Sequence, residues 1–171
     1  MLINVLKFGG TSVANLQRIE NVVKIVEKRI KDNSSKIILV VSAMSGVTNK
    51  LVKEFKKIRN EISDPEYDVI VSTGEQSSSA LISSLLNKKK IESRSLLGWQ
   101  IPILTDGNHS KARIIKINSN VLKNHLEKYR VLVIAGFQGI SKENRITTLG
   151  RGGSDTTAVA ISYALGLKTC E

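Results

Sequence analysis

Three short runs, almost unbroken in aliphatic residues, constrain this chain most: Leu2–Phe8, Lys36–Ser42 and Tyr129–Gly136. Each reads as a strand buried on both faces, and such strands belong to parallel sheets with helices on either side. Stretches of helical period lie between them. Leu16, Ile19, Val22, Val23, Val26 and Ile30 recur at three- and four-residue steps, which predicts an amphipathic helix ending near Asp32–Asn33. Thr48–Ile62 resumes that period through Leu51, Val52, Phe55 and Ile58. Pro65 marks a break before a further helix carrying Val69–Val71, Ser72–Glu75, Ala80, Leu81, Leu85 and Leu86.

Ile91–Leu97 reads as another strand, and Trp99–Ile115 as a loop with a hairpin. Val121–Tyr129 is a short helix, Gln138–Thr148 a hairpin turning at Lys142–Asn144, and Ser154–Gly166 the last helix, with Ser154 or Asp155 as its N-cap. Alternating strands and helices give one α/β domain: a mainly parallel sheet with helices on both faces. Phe8–Gly10, Ser42–Gly46 and Gly136–Gly139 all follow strand ends, so the polar candidates gather on one edge, where such sheets bind ligands. Leu167–Glu171 begins a further strand that nothing closes, so the sheet is expected to lack at least one strand. Apolar surface is expected near Val159, Ile161 and Leu165–Leu167.

Two glycine-rich turns carry the chemistry. Thr147–Ala158 reads TTLGRGGSDTTA, with an arginine between glycines ahead of a helix start. Lys7–Ser12 reads KFGGTS, at the end of the first strand. Glycine lets a backbone come close to a ligand, N–H groups at a helix start favour negative charge, and arginine grips a carboxylate with two prongs. Taken singly, each Gly-Gly pair is more often a plain turn. Together, each beside a basic residue, they point to anion binding and to phosphoryl transfer or a related reaction.

Other site types find no support. Neither turn is a P-loop or a G-x-G-x-x-G dinucleotide turn, and there is no G-x-S-x-G elbow and no Cys/His metal cluster. His109 and His125 stand alone and read as structural or solvent-facing. The net charge of +11 raises nucleic acid as a partner, but the lysines are spread over helix faces. The one tight run, Lys88–Lys90, has no aromatic interleaved to stack on bases. A solvated basic face is the better reading, with no nucleic-acid partner. The aliphatic runs are too short to span a bilayer, the N-terminus carries no secretory signal, and the single Cys170 fits a reducing compartment. These features predict a cytoplasmic protein without a membrane partner.

Six blocks in order resemble aspartokinase, the aspartate-specific branch of the amino-acid kinase family. They are KFGGTSV from Lys7, VSAMSGVTN from Val41, STGEQ from Ser72, GWQ from Gly98, GFQG from Gly136 and the TTLGRGGSDTTA run. The resemblance implies a three-layer sandwich and the reaction of L-aspartate with ATP to give 4-phospho-L-aspartate and ADP, the first step toward lysine, threonine and methionine. Mg²⁺ would arrive with the nucleotide, and the protein would hold no metal of its own. The acceptor is a carboxylate with a reference pKa of about 3.9, already ionised near neutrality, so no general base is needed. Positioning and charge neutralisation remain.

By the same resemblance, Lys7 faces the transferring phosphoryl group and Asp155 orients Lys7. Phe8, Gly9, Gly10, Thr11 and Ser12 join Lys7 in meeting the nucleotide's phosphates. Ser42, Thr48, Glu75, Arg151, Gly152, Gly153 and Ser154 line the aspartate site, Glu75 taking the ammonium and Arg151 a carboxylate. The family's nucleotide-cradling segment and regulatory ACT domains have no counterpart within residues 1–171, so the domain is expected to be incomplete.

Three readings stay open. The chain works as a kinase, as a homo-oligomer or with a separate chain supplying the missing half. It is an inactive remnant or aspartate-binding module. Or, least favoured, it binds nucleic acid, which salt-sensitive retention on a DNA column would reveal.

Overall fold

The computed structural model describes residues 2–33 and 35–171. Two four-stranded sheets organise it. The first is wholly parallel, in the order β1-β2-β6-β3, from β1 (Ile3–Phe8), β2 (Lys36–Val41), β3 (Ser93–Leu96) and β6 (Val131–Ala135). Ile37–Val41 and the whole of β6 are buried, as unbroken aliphatic runs require.

Period-two alternation sorts these strands' side chains into two cores. Leu6, Ile37, Leu39, Val41, Val131 and Val133 face α1 (Leu16–Asn33) and α3 (Pro65–Lys88). Val5, Ile38, Val40, Leu132 and Ile134 face α4 (Ser119–Lys128) and α5 (Gly153–Ala164). Helices on both faces make the expected three-layer α/β sandwich.

The second sheet runs β5-β4-β7-β8, from β4 (Ile103–Thr105), β5 (Ile114–Ile117), β7 (Gln138–Ile140) and β8 (Ile146–Thr148). Both expected hairpins are there. Their union is the unexpected part: a parallel pairing at Leu104 and Ile140 joins them into one sheet. Gly139 permits that approach, since a Cβ there would stand 2.6 Å from the Ile103 carbonyl oxygen.

Three local expectations need correction. The helix expected over Thr48–Ile62 is α2 (Val47–Lys56), one turn and a half shorter. Ile58 and Ile62 keep the helical period but find nothing to pack on, and both are exposed. Arg59 instead pairs with Glu61 and Asp64, and Asp64 caps α3 in the extended conformation that a residue before Pro65 prefers. The N-cap of α5 is neither Ser154 nor Asp155 but Gly152, at φ +75, so both side chains lie inside the first turn. Of the apolar residues expected at the surface, Val159 is exposed but Ile161 is wholly buried; the exposed neighbours are Tyr163 and, on β5, Ile115.

Leu167–Glu171 forms no assigned strand, yet Glu171 pairs with β1 as a parallel neighbour would. Its N–H donates to the Val5 carbonyl at 3.0 Å, and its carbonyl accepts from the Lys7 N–H at 2.6 Å.

Candidate active site

Parallel pairing sets the carboxyl ends of β1, β2 and β6 level, with Phe8 opposite Val41 and Val41 opposite Ala135. A cleft of about 190 Å³ opens beyond them. Lys7 reaches it from β1 and Ser42 from the end of β2. Thr48 comes from α2, Glu75 from α3, and the Gly150–Asp155 turn from the lead-in to α5. The structure thus gathers Lys7, Asp155, Ser42, Thr48, Glu75, Arg151, Gly152, Gly153 and Ser154. Phe8, Gly9, Gly10, Thr11 and Ser12 do not line the cleft. They form the turn beside it, closed by the Ser12 N–H on the Gly9 carbonyl at 2.9 Å. Gly9 still bears on the site: a Cβ there would stand 3.2 Å from Lys7 Nζ and crowd the ammonium.

Lys7 Nζ lies 2.8 Å from Asp155 Oδ1. Asp155 is two-thirds exposed, so solvent screens the pair and it adds little to stability. The first turn of α5 begins at Gly152 without a side-chain cap, and helix starts leave backbone N–H groups unpartnered within the helix. Arg151 stands between Gly150 and Gly152, both at φ +75, a backbone that only glycine adopts without strain. Its side chain is exposed and makes no hydrogen bond or ion pair among the described residues. Gly136 gives Ser154 its room, since a Cβ there would meet Ser154 Cβ and Oγ at 2.9 Å.

Glu75 is the site's buried acid. Only 4% of it is exposed, its Oε1 accepts the Ala43 N–H at 3.0 Å, and its Oε2 has no partner among the described residues. Burial pushes its pKa from the usual 4.5 up to about 7; the Ala43 hydrogen bond opposes the rise. A buried carboxylate with an orphan oxygen on a cleft wall suits a cationic ligand group. Arg151 and the first turn of α5 line the same cleft, so groups suited to anions and a group suited to a cation share it.

Phe137 also lines the cleft, and its importance was not evident from the sequence. It holds φ +70, which is strained for a bulky residue. The Thr157 hydroxyl accepts its N–H at 3.1 Å, and its carbonyl accepts the Leu149 N–H at 2.9 Å. The only signal was the block GFQG itself. His109, read as a lone histidine, in fact lies 2.7 Å from the buried Asp68. A larger apolar groove of about 1090 Å³ runs between β5 and α5 and meets the cleft at Asp155. The converging charged groups lie in the smaller cleft.

The amino acid kinase family model matches residues 3–171. An aspartokinase of Rickettsia conorii is 47% identical over 174 residues, across all of this chain and 43% of that protein. An aspartate kinase of Stutzerimonas stutzeri is 47% identical over 171 residues, again across all of this chain and 41% of its own length. The chain therefore spans about two-fifths of these relatives. Among solved structures, an aspartate kinase from Synechocystis superposes with a TM-score of 0.81 at 41% identity, covering 99% of this chain and 28% of that one. E. coli aspartokinase III, solved with aspartate and ADP, has the same TM-score over 99% of this chain and 48% of its own. At 22% identity it speaks for the fold alone.

Proposed function

This chain belongs to the amino acid kinase family, and from that premise we propose that it is the acceptor-binding part of an aspartate kinase. The reaction is attack by an L-aspartate side-chain carboxylate oxygen on the γ-phosphorus of ATP. The bond to the β-phosphate oxygen breaks, giving 4-phospho-L-aspartate and ADP. One observation carries the reading: Glu75, buried with its Oε2 unpartnered among the described residues, and Arg151, exposed and unpaired among them, line the same cleft as the Lys7–Asp155 pair.

Each group has a physical task. Glu75 takes the substrate's ammonium, and Arg151 with the α5 N-terminus takes a carboxylate. Ser42, Thr48 and Ser154 offer hydroxyls between them. Lys7 stands ready for charge that grows on the transferring group, held by Asp155 and kept open by Gly9. The Phe8–Ser12 turn suits phosphates, and its glycines admit a close backbone approach. Mg²⁺ carried by the nucleotide would offset phosphate charge.

In this reading residues 1–171 are an incomplete kinase domain, and the nucleotide-facing half and ACT domains belong to the relatives' further length. The product enters lysine, threonine and methionine synthesis in the cytoplasm. Among the described residues, no helix is long and apolar enough to cross a membrane.

The test is calorimetric titration of the chain with L-aspartate, set beside succinate, which lacks the ammonium. Aspartate should bind and succinate far more weakly. Equal affinity for both, or no heat from either, sinks the reading. In a hydroxamate assay with ATP, Mg²⁺ and aspartate, the chain alone should stay below about one turnover per second, the low end for kinases.

A further inference from the structure

The face of α3 that presents Glu75 carries a second buried carboxylate two turns earlier. Asp68 has no exposed surface and lies outside the cleft lining. Seven residues apart, the two carboxylates share one stripe of the helix. Asp68 binds nothing on its own helix. Its Oδ1 accepts the Thr148 hydroxyl. Both its oxygens accept the Ser110 N–H, at 3.0 and 3.1 Å, and Oδ2 lies 2.7 Å from His109 Nδ1.

These partners lead to the cleft. Thr148 ends β8, three residues before Arg151. Ser110 and Lys111, in the loop between β4 and β5, press on the base of the arginine turn. A Cβ on Gly150 would meet the Ser110 carbonyl oxygen at 3.2 Å and Lys111 Cα at 3.7 Å. The Ala112 N–H closes the contact on the Thr148 carbonyl at 2.9 Å. Arg151 itself has no partner among the described residues, so its place depends on how this base is held.

We propose that Asp68 is a positioning residue for Arg151: by tying Thr148 and the His109–Ser110 loop to α3, it sets the distance between Arg151 and Glu75 and so matches the cleft to the length of an acidic amino acid. The inference rests on the aspartate reading of the cleft. Both charged groups that would grip the acceptor then refer to one rigid element. Glu75 is part of α3, and Arg151 is fixed to it through Asp68. A shift of the turn relative to the helix changes the length of acceptor that fits.

Three variants separate positioning from mere stability. Asp68→Leu keeps the branching, adds bulk and removes every tie. Thr148→Val is isosteric, cuts one tie and leaves Asp68 its other partners, which protects the test should the leucine variant fail to fold. Asp68→Asn is the rescue: its oxygen can accept from Thr148 and Ser110, and its N–H₂ can donate to His109 Nδ1 when the imidazole proton is on Nε2. L-aspartate and L-glutamate affinities are measured by calorimetry on the whole chain, with amide hydrogen exchange read at residues 149–154 and in β2 and β6.

Loss of a hydrogen bond to a buried charge should weaken L-aspartate binding by about ten-fold in Thr148→Val. L-glutamate should suffer less, so the preference between the two narrows, and Asp68→Asn should restore it. Partial unfolding would lower both affinities together and leave their ratio intact. An unchanged ratio in Thr148→Val and in folded Asp68→Leu overturns the proposal. Should the unaltered chain bind neither amino acid, the aspartate reading fails and exchange decides the positioning claim. Faster exchange at 149–154, with β2 and β6 unchanged, supports it; unchanged exchange there overturns it.

Discussion

Replacing Glu75 with glutamine removes a buried titration whose effect on stability follows from the structure. The folded protein holds this carboxyl at about 7 instead of 4.5, chiefly because burial disfavours the charged form. Between those two values the native chain keeps a proton that the unfolded chain has released. Stability therefore falls as pH rises through that window and levels off above about 7. A shift of this size corresponds to roughly 3 kcal/mol, with 1.36 kcal/mol for each pH unit. Glu75→Gln keeps an oxygen for the Ala43 N–H and cannot ionise. Its offset in stability depends on how the new N–H₂ is satisfied, but its pH dependence does not. Urea unfolding of both proteins at pH 5, 6, 7 and 8 isolates the group from all others that titrate. The stability of the parent chain relative to the variant should drop by about 2.5 kcal/mol across the series. A difference that is flat with pH, or that grows in the parent's favour as pH rises, refutes the assignment of Glu75 as a buried acid.

Arg151→Ala should weaken L-aspartate binding by at least about ten-fold, because a carboxylate of the ligand loses its charged partner; calorimetry checks it, and an unchanged affinity refutes it. Lys7→Met should act on turnover. With this chain joined to the remaining length of the Rickettsia relative, the hydroxamate assay should show kcat reduced by about 100-fold or more and the aspartate KM within about two-fold. A raised KM at normal kcat would reverse its role. Gly74→Ala should lower the melting temperature, since its Cβ would stand 2.7 Å from Ala43 Cβ and push α3 off the end of β2. Overpacking of that kind costs about 1–3 kcal/mol, and an unchanged thermal melt would show that the helix gives way freely.

The parallel sheet was legible because Ile37–Val41 and Val131–Ala135 are buried on both faces, and two-sided burial writes itself as an unbroken aliphatic run. The amphipathic α1 was equally plain. The second sheet was not, because one pairing between Leu104 and Ile140 joins hairpins 36 residues apart, and nothing local encodes it. Helix α3 hides its inner face behind Ser72, Ser78, Ser79 and Ser83. These are buried but satisfied, Ser72 by the Val69 carbonyl at 2.9 Å and Ser79 by the Gln76 carbonyl at 2.8 Å. Periodicity counts such residues as polar. The cleft residues were legible through their motifs, down to Arg151 between its glycines. Asp68 escaped notice because a carboxylate near a helix start reads as a favourable dipole partner, and its real partners lie 41 or more residues away.

The strand order has a consequence for synthesis. β6 sits between β2 and β3, yet it is made after both. As the chain leaves the ribosome, β2 can pair with β1, but its other edge waits for about ninety further residues before Val131–Ala135 arrives. Through that interval Ile37–Val41 presents an open aliphatic edge, and β3 has no neighbour in its sheet. The arginine turn emerges later still, so the cleft assembles after the parallel sheet. A nascent chain arrested before residue 131 should therefore engage chaperones more strongly than one arrested well past residue 164.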